Sequence, residues 1–162
     1  MRVVARPDPT RFVRGDGSGG FQSIGGFKLR PSVSVYRGEL LGILLALLED
    51  LPTGITTRWV FSDSLSAVQS IQGWRDTRCS LVETIIGRIV HLKDCVNCDV
   101  KIRWCPGHCS IPGNEAADLL AKRSALEGND YALEEDCGTF IRNVKLFTND
   151  KWQREWSSAG TG

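Results

Sequence analysis

The chain has 162 residues, 41% of them apolar and 24% charged, with a formal net charge of +1. That length suits one domain burying roughly two thirds of its unfolded surface, and the near-neutral balance excludes a strongly basic protein that coats nucleic acid. No apolar window is long enough for a transmembrane helix and residues 1–9 have too short an apolar core for a signal peptide, so an intracellular protein with six reduced cysteines and no membrane partner is expected.

Residues 1–10 carry Pro7 and Pro9 and read as an irregular lead-in. Arg11 to Asp16 alternates as a short strand ending in a Gly-Ser-Gly-Gly turn. Phe21 to Val35 holds Gly25-Gly26 between two apolar runs, the pattern of a hairpin returning beside that strand. From Arg37 to Asp50 the run is apolar almost all round, which predicts a helix buried against a sheet and stopped by Pro52 and Gly54. Thr57 to Phe61 is β-branched and aromatic, a strand with Trp59, Phe61 and Asp63 on one face. Asp63 or Ser64 then caps a helix running to about Gln72.

A further helix is expected from Ser80 to Lys93, with His91 among its apolar residues as a structural histidine. Val100, Ile102 and Trp104 alternate with polar residues as a strand, and Pro112-Gly113 leads into a helix over Asn114 to Leu126. Together these make an α/β domain over 11–127: a mixed five-stranded sheet, three antiparallel then two parallel strands, flanked by helices. Residues 128–162 form a tail with a short helix around Lys151-Trp152-Gln153-Arg154-Glu155-Trp156.

Four isolated acids, Asp16, Glu39, Asp63 and Asp118, each fall at the edge of an expected element. Carboxylates that converge from separate elements repel one another unless cations join them, and oxygen-only ligands suit Mg²⁺. Two Mg²⁺ ions about 4 Å apart supply charge compensation, an activated water and help for the leaving oxygen in phosphodiester hydrolysis. In an α/β sheet the natural meeting place is the crevice at the carboxyl ends of the strands. His108, on a Pro-Gly loop ten residues before Asp118, is placed to relay protons there. Asp8, between two prolines, is the other candidate for the first acid, and a proline-flanked site suits a central strand poorly.

The run from Trp104 to Asp118, Trp-Cys-Pro-Gly-His-Cys-Ser-Ile-Pro-Gly-Asn-Glu-Ala-Ala-Asp, resembles the ribonuclease H family in the form found within non-LTR retrotransposon polyproteins. The resemblance covers roughly residues 11–127 and implies the ribonuclease H-like fold. It also implies an endonuclease that hydrolyses the RNA strand of RNA·DNA hybrids with two Mg²⁺ ions, Mn²⁺ being the substitute ion. Asp16, Glu39, Asp63 and Asp118 would then be the metal ligands and His108 the proton relay.

By the same resemblance Asn114 contacts the RNA strand, unless it serves only as a helix cap. Ser64, Gly17 and Ser18 are the small groups beside the acids that would sense 2′-hydroxyls in the minor groove. Trp74-Arg75 and Arg78 are candidates for DNA-strand phosphates. Lys151-Trp152 with Trp156 looks like the segment that follows the domain in such polyproteins, so a reverse transcriptase domain is the expected partner. The alternative is an inactive ribonuclease H-like module that only binds nucleic acid or stabilises a neighbour.

A zinc module is the competing metal reading, on Cys95-x-x-Cys98 and Cys105-x-x-His108. A strand over 98–105 argues against it, because its ends would be about 23 Å apart at ~3.3 Å per residue.

Overall fold

The computed structural model describes residues 2–6, 11–15, 21–30, 33–107, 109, 111–127, 129–131, 133, 148–150, 152–154 and 156–158. In chain order these give β1 (Arg2–Arg6), β2 (Arg11–Gly15), β3 (Phe21–Leu29), α1 (Val35–Leu48), β4 (Thr57–Ser62) and α2 (Leu65–Gln72). A 3₁₀ turn at Trp74–Asp76 follows, then α3 (Ser80–Val96), β5 (Asp99–Trp104), α4 (Pro112–Glu127) and β6 (Asn129–Tyr131). The strands form one sheet in the order β5-β4-β1-β2-β3-β6. β1, β2 and β3 are antiparallel, β4 and β5 run parallel to β1 and to each other, and β6 runs parallel to β3.

The α/β class and the antiparallel-then-parallel order match the sequence, but three expectations are corrected. Residues 1–10 are not an irregular lead-in: Arg2–Arg6 is a strand, lying between β2 and β4. Val3 and Val4 favour extended backbone, and the two prolines fall after the strand rather than inside it. Residues 21–29 are one strand, not a hairpin turned at Gly25-Gly26. Register shifts where Phe12 pairs with Gly25 and Val13 with Ser23, so Ile24 is the extra residue of a β-bulge, and Gly25 and Gly26 lie within the ladder rather than in a turn. Finally, the sheet has six strands among the described residues, not five, because Asn129–Tyr131, assigned to the tail, pairs with Phe27–Leu29.

The core lies on the face of the sheet covered by α1, α2 and α3. Leu40, Ile43, Ala46 and Leu47 of α1 meet Val60 of β4, Ala67 and Ile71 of α2, and Leu81, Val82, Ile85 and Leu92 of α3. The all-round apolar pattern of α1 has its reason here, since α1 is enclosed between the sheet and two other helices. Each buried Leu or Ile contributes roughly 1.5–3 kcal/mol. On the opposite face α4 crosses β1, β2 and β3 and sets Ala117 against Phe61. α3 closes with Asn97 in the left-handed region (φ 54°), and the Cys98 N–H reaches back to Leu92 O at 2.9 Å.

Candidate active site

A buried arginine joins the end of α1 to the start of β4. Arg58, the second residue of β4, is 0% exposed. Its Nη1 donates to Ala46 O and Leu47 O, both at 2.9 Å, and its Nη2 to Glu49 O at 2.6 Å. Arg88 Nε adds a bond to Leu47 O at 3.1 Å. The last carbonyls of a helix lack partners of their own and carry the negative end of its dipole, so a guanidinium there is a favourable cap. The carboxyl end of α1 is thereby pinned to the start of β4, and α1 runs back along the sheet. Glu39 lies seven residues before Ala46, about 11 Å along a helix. Asp63 lies five residues after Arg58, about 16 Å along a strand. Glu39 and Asp63 therefore lie toward the same end of the α1–β4 unit.

Glu39 is only 4% exposed, and Asp63 is half-buried. Oε2 of Glu39 and Oδ1 of Asp63 are buried atoms that accept no hydrogen bond, although each residue interacts with other groups. Asp63 is not the helix cap. That role falls to Ser64, whose Oγ accepts from Ala67 N at 3.3 Å, while Ser64 N donates to Ser62 Oγ at 3.2 Å. From β5, Cys105 N donates to Ser62 O at 2.9 Å and Trp104 Nε1 to Asp63 O at 3.0 Å.

The same edge receives the loop that follows β5. Cys105 is buried, Gly107 is half-buried, and α4 starts at Pro112 with Ile111 O accepting from Asn114 N at 2.9 Å and Glu115 N at 3.0 Å. Proline at the first helical position loses nothing, since that N–H has no intrahelical partner. Asn114 is the third residue of the helix and 0% exposed, which rules out the cap and leaves its side chain no surface for direct RNA contact. Because Ala117 packs on Phe61, the first turns of α4, including the position of Asp118, lie beside the end of β4.

Four expected site residues, Asp16, Gly17, Ser18 and His108, lie outside the described residues, as does Asp8. The strand leading to Asp16 is not the one beside β4, as expected; β1 is. Gly15 pairs with Arg2, which pairs with Trp59, whereas Ala5 pairs with Ser62 next to Asp63. β2 thus ends at the opposite edge of the sheet from Asp63. Arg75 stacks its guanidinium 5.0 Å over the exposed Trp74, and Arg78 is exposed. His91, expected to be structural, is exposed on α3. Cys98 and Cys105 are buried at opposite ends of β5, so the strand that weighed against a zinc module is present.

Sequence reasoning missed Arg58 and the indole of Trp104. Arg58 does leave a signal, because it shares an alternation with Val60 and Ser62 and so falls on the inward face of its strand. The bond from Trp104 leaves none, since it spans 41 residues.

Carboxylates at the crevice outside parallel strand ends have the donor chemistry that Mg²⁺ prefers, and among the described residues no group of three or more His, Cys, Asp or Glu is gathered closely enough to hold a metal ion. Among the described residues no helix is long and apolar enough to cross a membrane. A search of curated proteins finds no match. The RNase H family model matches residues 19–126, a span that begins after both Asp8 and Asp16 and takes in Glu39, Asp63, His108, Asn114 and Asp118. With more than half of the sequence matched over the segment that builds this edge, the chain belongs to the RNase H family.

Proposed function

We propose that the chain is an endonuclease that hydrolyses the RNA strand of RNA·DNA hybrids, serving the reverse transcription of a retrotransposon. The observation that supports this reading most is the RNase H family match over residues 19–126, the segment that holds Glu39, Asp63, His108 and Asp118. Glu39, Asp63 and Asp118 hold the divalent ions, together with a first acid from the amino-terminal segment. The Asp-Gly-Ser motif supports Asp16 in that place, and the register of β1 supports Asp8. When bound, two Mg²⁺ ions supply charge compensation on the scissile phosphate and a water of lowered pKa.

The chain's own groups do the rest. His108 passes a proton to the departing 3′ oxygen from the loop between β5 and α4. Ser64, with Gly17 and Ser18, faces the minor groove and senses the 2′-hydroxyl. Asn114 holds the start of α4, and hence Asp118, in place from within the fold. Trp74, Arg75 and Arg78 bind phosphates of the DNA strand. Trp152 and Trp156, exposed and 5.5 Å apart between ring centres, contact the reverse transcriptase region of the same polyprotein.

Incubation with end-labelled RNA·DNA hybrid, double-stranded RNA and double-stranded DNA tests the reading. Cleavage confined to the RNA of the hybrid and abolished by EDTA is expected. Binding without cleavage at millimolar Mg²⁺ or Mn²⁺ would overturn it in favour of an inactive binding module.

A further inference from the structure

The parallel ladder between β4 and β5 ends just before the site. Its last rung is Cys105 N donating to Ser62 O at 2.9 Å. The following carbonyl on β4, that of Asp63, accepts from a side chain instead, the indole Nε1 of Trp104 at 3.0 Å. Trp104 is 47% exposed on an edge strand, so burial of its ring is a weak account of its place. Its polar end points to the backbone of the acid. On the other side Ser64 N, bound to Ser62 Oγ at 3.2 Å, fixes the chain leaving Asp63. Asp63 is thus clamped from β5 and from the start of α2.

We propose that Trp104 is a positioning residue of the metal site. Its indole N–H holds the main chain of Asp63, and through it the carboxylate, so that it sets the affinity for Mg²⁺ and not the affinity for the hybrid. This rests on Asp63 being a ligand. Mg²⁺ demands near-ideal octahedral geometry at about 2.1 Å, so a small drift of one ligand's backbone is felt as lost affinity.

Trp104→Phe keeps an aromatic ring and deletes the donor. A Mg²⁺ titration of ¹⁵N-labelled protein, followed at the Asp63 and Ser64 amide resonances, reads the affinity without needing turnover. The midpoint of Trp104→Phe is expected about fivefold above that of the parent, the scale of one lost hydrogen bond. In cleavage assays its KM for the hybrid should stay at the parental value, with kcat recovering at saturating Mg²⁺. A parental Mg²⁺ midpoint in Trp104→Phe, with or without a lower urea midpoint, would overturn the proposal and leave Trp104 merely structural. Parent protein whose Asp63 and Ser64 resonances ignore Mg²⁺ would overturn the ligand role of Asp63, and this proposal with it.

Discussion

Asp63 stands between a strand end and a helix start, where an aspartate commonly serves as an N-cap. The hydroxyl of Ser64 makes that bond to Ala67 N, so the Asp63 carboxylate is not engaged in capping. Asp63→Asn should accordingly leave the urea unfolding midpoint near that of the parent while reducing Mg²⁺-dependent cleavage by more than about 10²-fold. Wild-type turnover in that variant would remove Asp63 from the site. His108 is a different case, since it belongs to the loop and not to the carboxylate set. His108→Ala is expected to reduce kcat by about 10²-fold, the usual scale of a general acid–base group, at an unchanged Mg²⁺ requirement. A changed Mg²⁺ requirement with intact kcat at saturation would instead make the histidine part of the metal site.

At the scale of elements, α1 and β4 act as a unit because Arg58 joins them. Its guanidinium satisfies three carbonyls at the end of α1, and the apolar surroundings of Val60 and Leu47 keep water from replacing it. Arg58→Ala would remove the Arg58 donor from Ala46 O and Glu49 O and leave Leu47 O with Arg88 Nε, and should destabilise the fold by about 3–5 kcal/mol, measured by urea denaturation. Arg58→Lys should recover only part of this, because an ammonium lacks the planar fork that reaches separate carbonyls. A loss under ~1 kcal/mol in Arg58→Ala would show that water caps the helix and that α1 owes its direction to packing alone. If the cap does orient α1, residual folded Arg58→Ala should also bind Mg²⁺ more weakly, since Glu39 rides on the other end of the same helix.

Across the whole molecule, legibility followed the range of the interactions involved. α1, β4, α2, α3, β5 and α4 were readable to within a few residues, because their apolar patterns are local and several carry their own boundary signals: Pro52, the Ser64 cap, Pro112. The amino-terminal third was not. Its strands are five to nine residues long, two glycines sit inside β3, and nothing local says which strand takes the place beside β4. Only register decides that, and register is a property of the assembled sheet.

The identity of the first carboxylate turns on that register, and paired variants separate the possibilities. β1 brings Ala5 level with Ser62, next to Asp63, and Asp8 is the first acid in the sequence after β1. Asp16 follows β2, whose last residue Gly15 is level with Arg2 and Trp59 at the far edge, yet it carries the Asp-Gly-Ser sequence. One site needs one first acid. Of Asp8→Asn and Asp16→Asn, a single variant should therefore silence cleavage of the hybrid while the other keeps turnover within a few-fold of the parent. Loss confined to Asp8→Asn would confirm β1 as the strand that carries the ligand. Loss confined to Asp16→Asn would mean that the strand before Asp16 lies beside β4 during catalysis, a different pairing of the amino-terminal strands. Full turnover in both variants would reduce the ligand set to Glu39, Asp63 and Asp118, and the four-carboxylate site would have to be given up.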